Sequence, residues 1–336
     1  METNTLSAAK KRISGKAAKK WLDSRYGQQT ITILAFMMIP LLLLFVFTYL
    51  PFGEMIKFSF YQMKYVGKRT YVGLQNYRDV FSRDDCFGAL KLSLYYMAGA
   101  LVQLVIALYL AAILSFKVKL GNLFKGCMFF PFLINGIAVG FIFKFFFTRG
   151  YVFDTALQLC GFHLDNLPYW LRDQSINNIS LVGTSVWRYF GQSIVLFIGA
   201  IMSVDGTMYE AAELDGASKF QQFFYIILPN IKDIVVLNVI LSISGSLSAF
   251  EPPFVITAGA NGTATYFVVM DRIAHTSQKV GLASAMAVVL LGLIFIVTFL
   301  QKVFFKYVYK GAEDDTPRRR KRKRLNAPAG EEAGAQ

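Results

Sequence analysis

Apolar residues gather in six long runs, at roughly 31–52, 91–116, 127–147, 182–204, 233–257 and 281–305, with shorter polar stretches between them. A helix needs about 20 consecutive apolar residues to cross the ~30 Å hydrocarbon layer of a bilayer, and each run is long enough. The pattern predicts an all-α polytopic membrane protein with six transmembrane helices. A secretory signal peptide competes for the first run. That run is longer than a signal h-region and no small-x-small cleavage site follows it, so it is read as an uncleaved first span.

Composition agrees with the pattern. Of 336 residues, 55% are hydrophobic, 32 are Phe and only 17% are charged, which is too apolar for an ordinary soluble domain. The net charge of +14 would raise the question of nucleic acid in a soluble protein, but here Lys and Arg gather beside the apolar runs. Six spans put both termini on one side. The termini and the segments between spans two and three and between spans four and five carry 22 Lys and Arg, against 10 in the alternate set. The positive-inside bias therefore predicts both ends, and the segment between the fourth and fifth spans, in the cytoplasm.

That segment holds the most informative stretch, residues 209–229. Thr207 with Glu210, and Ser218 with Gln221, each fit a capping box, a hydroxyl residue followed three later by Glu or Gln. Gly216 lies between them, where a helix end wants a residue that tolerates positive φ. The expectation is two short helices bent around Gly216. They carry Met208, Tyr209, Ala211, Ala212, Leu214, Phe220, Phe223 and Phe224, which a loop this short cannot bury by itself. These side chains are expected to pack on the ends of the membrane helices or in a groove of another protein.

Glu-Ala-Ala, three residues, Gly, nine residues, then Ile-x-Leu-Pro resembles the signature loop of the membrane subunits of ABC importers. Glu210, Ala211, Ala212, Gly216, Ile226, Leu228 and Pro229 match every motif position over 20 residues. The flanks, Tyr209 before the motif and Leu214-Asp215-Gly216-Ala217-Ser218 within it, resemble carbohydrate-type permeases. The resemblance implies a type I importer permease fold in which this loop, Asp215 included, is a coupling helix docked on an ATPase. It also implies the partners: a second homologous permease subunit, a cytoplasmic ATPase dimer that binds the ATP and Mg, an extracytoplasmic sugar-binding protein and a sugar substrate. No cofactor is expected in this chain, and it is not expected to be an enzyme. The location implied is the bacterial cell membrane, multi-pass. Gly73-Leu74-Gln75-Asn76-Tyr77 resembles a Gly-Leu-x-Asn-Tyr stretch that follows the first span of sugar permeases, and Gly281-Leu282-Ala283-Ser284-Ala285-Met286-Ala287 resembles the start of their sixth. Thr257-Ala258-Gly259-Ala260-Asn261-Gly262-Thr263 departs from their Thr-x-Gly-Gly-Pro run.

Polar residues inside the spans supply the candidate path. Ser185, Arg188, Tyr189 and Gln192 fall at i, i+3, i+4 and i+7 and share one helical face. A stripe containing Arg is costly in lipid and should face the bundle interior or water. In the fifth span Ser242 and Ser246 share one face, with Ser244, Ser248 and Glu251 on a neighbouring one. Serines in such helices often only pack or bond back to the helix. Arg188 and Glu251 both fall in the outer third of their spans and are expected to approach each other, as a structural pair or at the outer mouth of the path. In the resembled family the spans flanking the coupling loop line the translocation path. That makes Ser185, Arg188, Tyr189, Gln192, Ser242, Ser246 and Glu251 the candidate substrate-path residues. In the third span Gly136 and Gly140 form a Gly-x-x-x-Gly pair, which allows close helix approach.

Residues 1–30 read as a basic cytoplasmic segment, 31–310 as the six-helix permease domain and 311–336 as a disordered basic tail. The seven consecutive basic residues at 318–324 read as an anchor to anionic headgroups rather than a nucleic-acid site. Cys86, Cys127 and Cys160 form no metal or redox motif. Cys86 and Cys160 both fall in segments placed outside, which leaves a disulfide between them open. The two His, His163 and His275, are too few for a metal site, and no G-x-x-x-x-G-K-[ST] run is present for ATP. Outside the ABC reading stand an ion-coupled secondary transporter, which would need ionisable residues near the bilayer midplane, and a membrane scaffold. Within it the alternative is a non-sugar solute.

Overall fold

The computed structural model describes residues 24–115 and 119–314. Most of the basic N-terminal segment and the 318–324 run lie outside them. The described residues are overwhelmingly helical, with one two-stranded hairpin pairing Tyr61–Gln62 with Thr70–Tyr71. Five helices are long and apolar enough to cross a membrane: Arg25–Phe58, Asp84–Ser115, Asn177–Met202, Lys232–Thr257 and Val280–Tyr307.

The predicted third span is corrected by the structure. Residues 127–147 do not form one straight helix. Gly121–Leu133 and Gly136–Phe146 meet at 97°, and only together do they make a sixth crossing. The break follows Pro131, which removes a backbone donor. Ile134 then turns extended (φ −74°, ψ 136°), and Asn135 starts the second half by accepting the Ile137 amide at 2.9 Å, as an N-cap does.

The first span stands apart. Its apolar stretch (mean hydropathy 2.6) buries nothing within the chain, and its main contact with the bundle is where Leu50–Phe58 meets the sixth span. The other spans pack closely through glycines. A Cβ on Gly99 would overlap Val182, and one on Gly191 would overlap the Met128 carbonyl, so the second, third and fourth spans cross at those points. Below them Leu104, Ala107, Ile194, Phe197 and Ile201 form a core with Ile227 of the 206–230 segment and Ile231 just after it.

The Gly73–Tyr77 stretch is a clamp. Gly73 turns at φ +58°. Buried Asn76 donates to the carbonyls of Ser59 (2.8 Å) and Tyr61 (3.0 Å), and the Tyr77 hydroxyl pairs with Ser59 Oγ at 2.7 Å. Gly281 abuts the same Tyr61 carbonyl, with no room for a Cβ. The first and sixth spans are thereby tied at one end. At the same end the 257–263 run is stitched to the fourth span: Asn177 donates to Asn261 O at 2.7 Å, and Asn261 to Leu171 O at 3.2 Å.

Candidate functional site

Residues 206–230 form a capped, bent pair of short helices. The first is Gly206–Leu214, and its cap corrects one expectation: Asp205, not Thr207, opens it, accepting the Thr207 amide at 3.0 Å. Glu210 is exposed and takes no part in the cap. The helix begins two residues earlier than the hydroxyl pattern suggested because a carboxylate is available two residues upstream. That amide holds the Asp205 carboxyl below its usual range.

The helix ends at Gly216, φ +74°. Gly216 donates its amide to Glu213 O (3.1 Å) and Ala217 donates to Ala212 O (2.9 Å), the paired bonds of a Schellman stop. Ser218 opens the next helix, Lys219–Gln222, with the predicted capping box. Lys219 Nζ reaches back 2.5 Å to Glu213 Oε1, and buried Gln222 donates to Ala217 O at 3.2 Å. These bonds fix the bend from both sides.

The apolar residues of this segment divide by direction. Tyr209 and Phe223 pack inward on the core below the spans, where burial raises the Tyr209 phenol above its ordinary pKa. Leu214 (90% exposed), Phe220 (73%) and Tyr225 (80%) stand outward. Among the motif residues Ile226, Leu228 and Ala212 are half-buried, while Glu210, Ala211, Asp215, Gly216 and Pro229 are exposed. The segment is thus rooted in the second and fourth spans and presents an uncovered apolar ridge.

A cavity of about 540 Å³ opens between the second, fourth and fifth spans. Six predicted path residues line it: Ser185, Tyr189, Gln192, Ser242, Ser246 and Glu251. Arg188 lies behind the wall. Its Nη1 is ion-paired with Glu251 Oε2, and its guanidinium sits 5.2 Å from the centre of the Tyr189 ring. The expected approach of the two charges is therefore seen. Gly136 makes room for it, since a Cβ there would overlap both Arg188 and Glu251. Gly140 likewise lies against Val255, whose Cβ would be 2.6 Å from an added methyl. The Gly-x-x-x-Gly pair thus packs the third span onto the end of the fifth.

Several serines spend their hydroxyls inside their own helices: Ser246 on Ser242 O (2.7 Å), Ser248 on Ser244 O (3.4 Å) and Ser185 on Leu181 O (3.5 Å). Ser244 instead meets Thr298 of the sixth span at 3.3 Å. The residues missed in the sequence include those of the second span, besides Ser193, Asn238, Phe250 and Phe267. Tyr96, Ala100 and Gln103 recur at i, i+4 and i+7, a spacing that would have revealed them, but the run is apolar almost all round. Gln103 donates to Ser193 at 3.2 Å across the cavity wall. Cys86 is buried, Cys160 is exposed, and both are free thiols, so the disulfide left open is absent.

A bundle of membrane spans around a cavity of mixed polar and apolar lining, with a capped helical hairpin at its base, is the architecture of a transport permease. Residues 103–308 match the family model described as the inner membrane component of binding-protein-dependent transport systems. The chain is 31% identical over 277 residues, 80% of its length and 94% of the relative's, to the probable ABC transporter permease protein YurN of Bacillus subtilis. It is 30% identical to the arabinooligosaccharides transport system permease protein AraP of the same organism, covering 84% of this chain and 92% of that one. Its fold is similar to a chain of a bacterial ABC transporter involved in the import of alginate, an acidic polysaccharide. There the TM-score is 0.70 at 16% identity, over 84% of this chain and 97% of that one. The chain belongs to the binding-protein-dependent inner-membrane family. It is a multi-pass permease subunit of an ABC importer.

Proposed function

We propose that this permease imports a sugar or oligosaccharide by ATP-driven alternating access, with separate ATPase subunits supplying the energy. The observation that carries the reading is that the spans rooting the 206–230 hairpin also line the cavity. A push on the hairpin is thereby a push on the cavity walls. In this reading 206–230 is the coupling segment between the fourth and fifth of six spans and lies in the cytoplasm with both termini. Glu210, Ala211, Ala212, Asp215, Gly216, Ile226, Leu228 and Pro229 form or hold the surface that docks on an ATPase dimer. Leu214, Phe220 and Tyr225 supply its apolar contact. A second homologous permease completes the path, and an extracytoplasmic binding protein delivers the sugar at the Arg188–Glu251 end. The permease domain is taken as residues 31–310, flanked by basic cytoplasmic segments.

The carbohydrate assignment draws on the named substrate of AraP and on the wall itself. Tyr189 and Phe250 offer ring faces, and Gln103, Gln192 and Asn238 offer amides, which suits a ligand with many hydroxyls and apolar ring faces. The test uses the chain as bait from detergent-solubilised membranes, followed by ATPase assays of the complex with its binding protein and an oligosaccharide panel. Recovery of an ATPase and a second six-span protein, with saccharide-stimulated hydrolysis, is the expected result. Recovery of the chain alone would return the problem to a secondary carrier or a scaffold.

A further inference from the structure

The cavity wall carries a charge pattern that narrows the ligand. Among the described residues that line it, Glu251 is the one charged side chain. Its cation, Arg188, is engaged by that carboxylate and by the Tyr189 ring, and no second Lys or Arg faces the space. From this chain a ligand carboxylate entering here would meet a carboxylate and no free cation. Desolvating an anion without a counter-charge is strongly unfavourable. An uncharged ligand meets hydroxyls, amides and ring faces. Within that wall Tyr96 is only 4% exposed, yet its hydroxyl finds no hydrogen-bond partner among the described residues. Buried polar groups are seldom left so.

We propose that the cavity is selective for a neutral saccharide unit, with Tyr96 of the second span donating its hydroxyl to a sugar oxygen and Glu251 excluding a uronic-acid unit. The proposal rests on the sugar-import reading and deepens it. It separates this chain from the alginate importer whose fold it shares. Tyr96 acts in it as a specificity residue that neither the serine stripe nor the charged pair disclosed.

The experiment is equilibrium binding and uptake by the complete reconstituted complex. Its probes are neutral arabino-, malto- and xylo-trisaccharides and a mannuronate trisaccharide, compared between wild type and variants of this chain. Changes caused by a variant report on this chain and not on the binding protein. Wild type should take up at least one neutral probe and reject the uronate. Glu251→Gln leaves Arg188 as an uncompensated cation and should raise the uronate-to-neutral ratio about tenfold or more, a gain that misfolding cannot produce. Tyr96→Phe keeps the ring and should raise the half-saturating neutral saccharide concentration about tenfold while leaving the uronate rejected. Equal uptake of uronate and neutral probes by wild type overturns the proposal, as does an unchanged ratio in Glu251→Gln or unchanged half-saturation in Tyr96→Phe. If wild type takes up no saccharide at all under ATP, the import reading fails first, and the selectivity with it.

Discussion

Gly216 offers the sharpest test of how the hairpin works, because its surroundings isolate a single variable. Its φ is +74° and an added Cβ would meet nothing within 4 Å, so substitutions there read backbone conformation without steric conflict. Ala pays about 1–2 kcal/mol for the left-handed region, partly offset because it stiffens the unfolded chain. The net cost of about 1 kcal/mol lowers the population of the bent hairpin roughly fivefold. Asn tolerates that region and should cost less. Pro cannot reach it, since its φ is locked near −65°. It also removes the Gly216 amide that donates to Glu213 O at 3.1 Å, which makes the loss ~3 kcal/mol or more, about a hundredfold. The assay is ATP-dependent uptake normalised to chain in the membrane, with ATPase co-purification measured alongside. We expect the order Gly, Asn, Ala, Pro, from full to abolished. Wild-type uptake in Gly216→Pro would refute the role of the bend. Asn and Ala variants as inactive as Pro would show that a partner needs the bare Cα, and that the conformational account is wrong.

Arg188 and Glu251 should couple by about 1–3 kcal/mol in a double-alanine cycle on thermal unfolding in detergent, a figure discounted because the Glu251 side chain is 37% exposed. Zero coupling would sink the pair, and a charge swap should restore part of what the singles lose. Gly136→Ala should perturb the same pair, whereas Gly126→Ala, with open space around it, should behave as wild type. Cys160 should alkylate readily in the native protein and Cys86 only after unfolding, with no change in electrophoretic mobility on reduction. Asp205→Ala should speed hydrogen exchange at the Thr207 amide, and Thr207→Ala should not. Because the Asp205 carboxyl is held below its usual range, its cap is present above that range and is lost as pH falls through the lowered value.

How much of the protein was legible in its sequence followed from how local the determinants are. Hydrophobic run length decides whether a helix can cross a bilayer, so five crossings could be read directly. The bend at Gly216 and the Ser218–Gln221 box were legible because caps and turns are built from residues a few positions apart. The cap at Asp205 was misjudged because Asp205 and Thr207 can each open a helix here, on different amides, and only the backbone path selects between them. The break of the third span was hidden because Pro131 and Asn135 lie inside an apolar run, where length alone reads as a straight helix. Arg188 and Glu251 could be expected to meet because each is a costly charge at the same depth in lipid. That Gly136 passes beneath them, and that Tyr96 and Gln103 close the cavity from the second span, was decided by how four spans cross. Crossing depends on side-chain packing between segments up to about 150 residues apart, from Tyr96 to Glu251, and no periodicity within one segment records it.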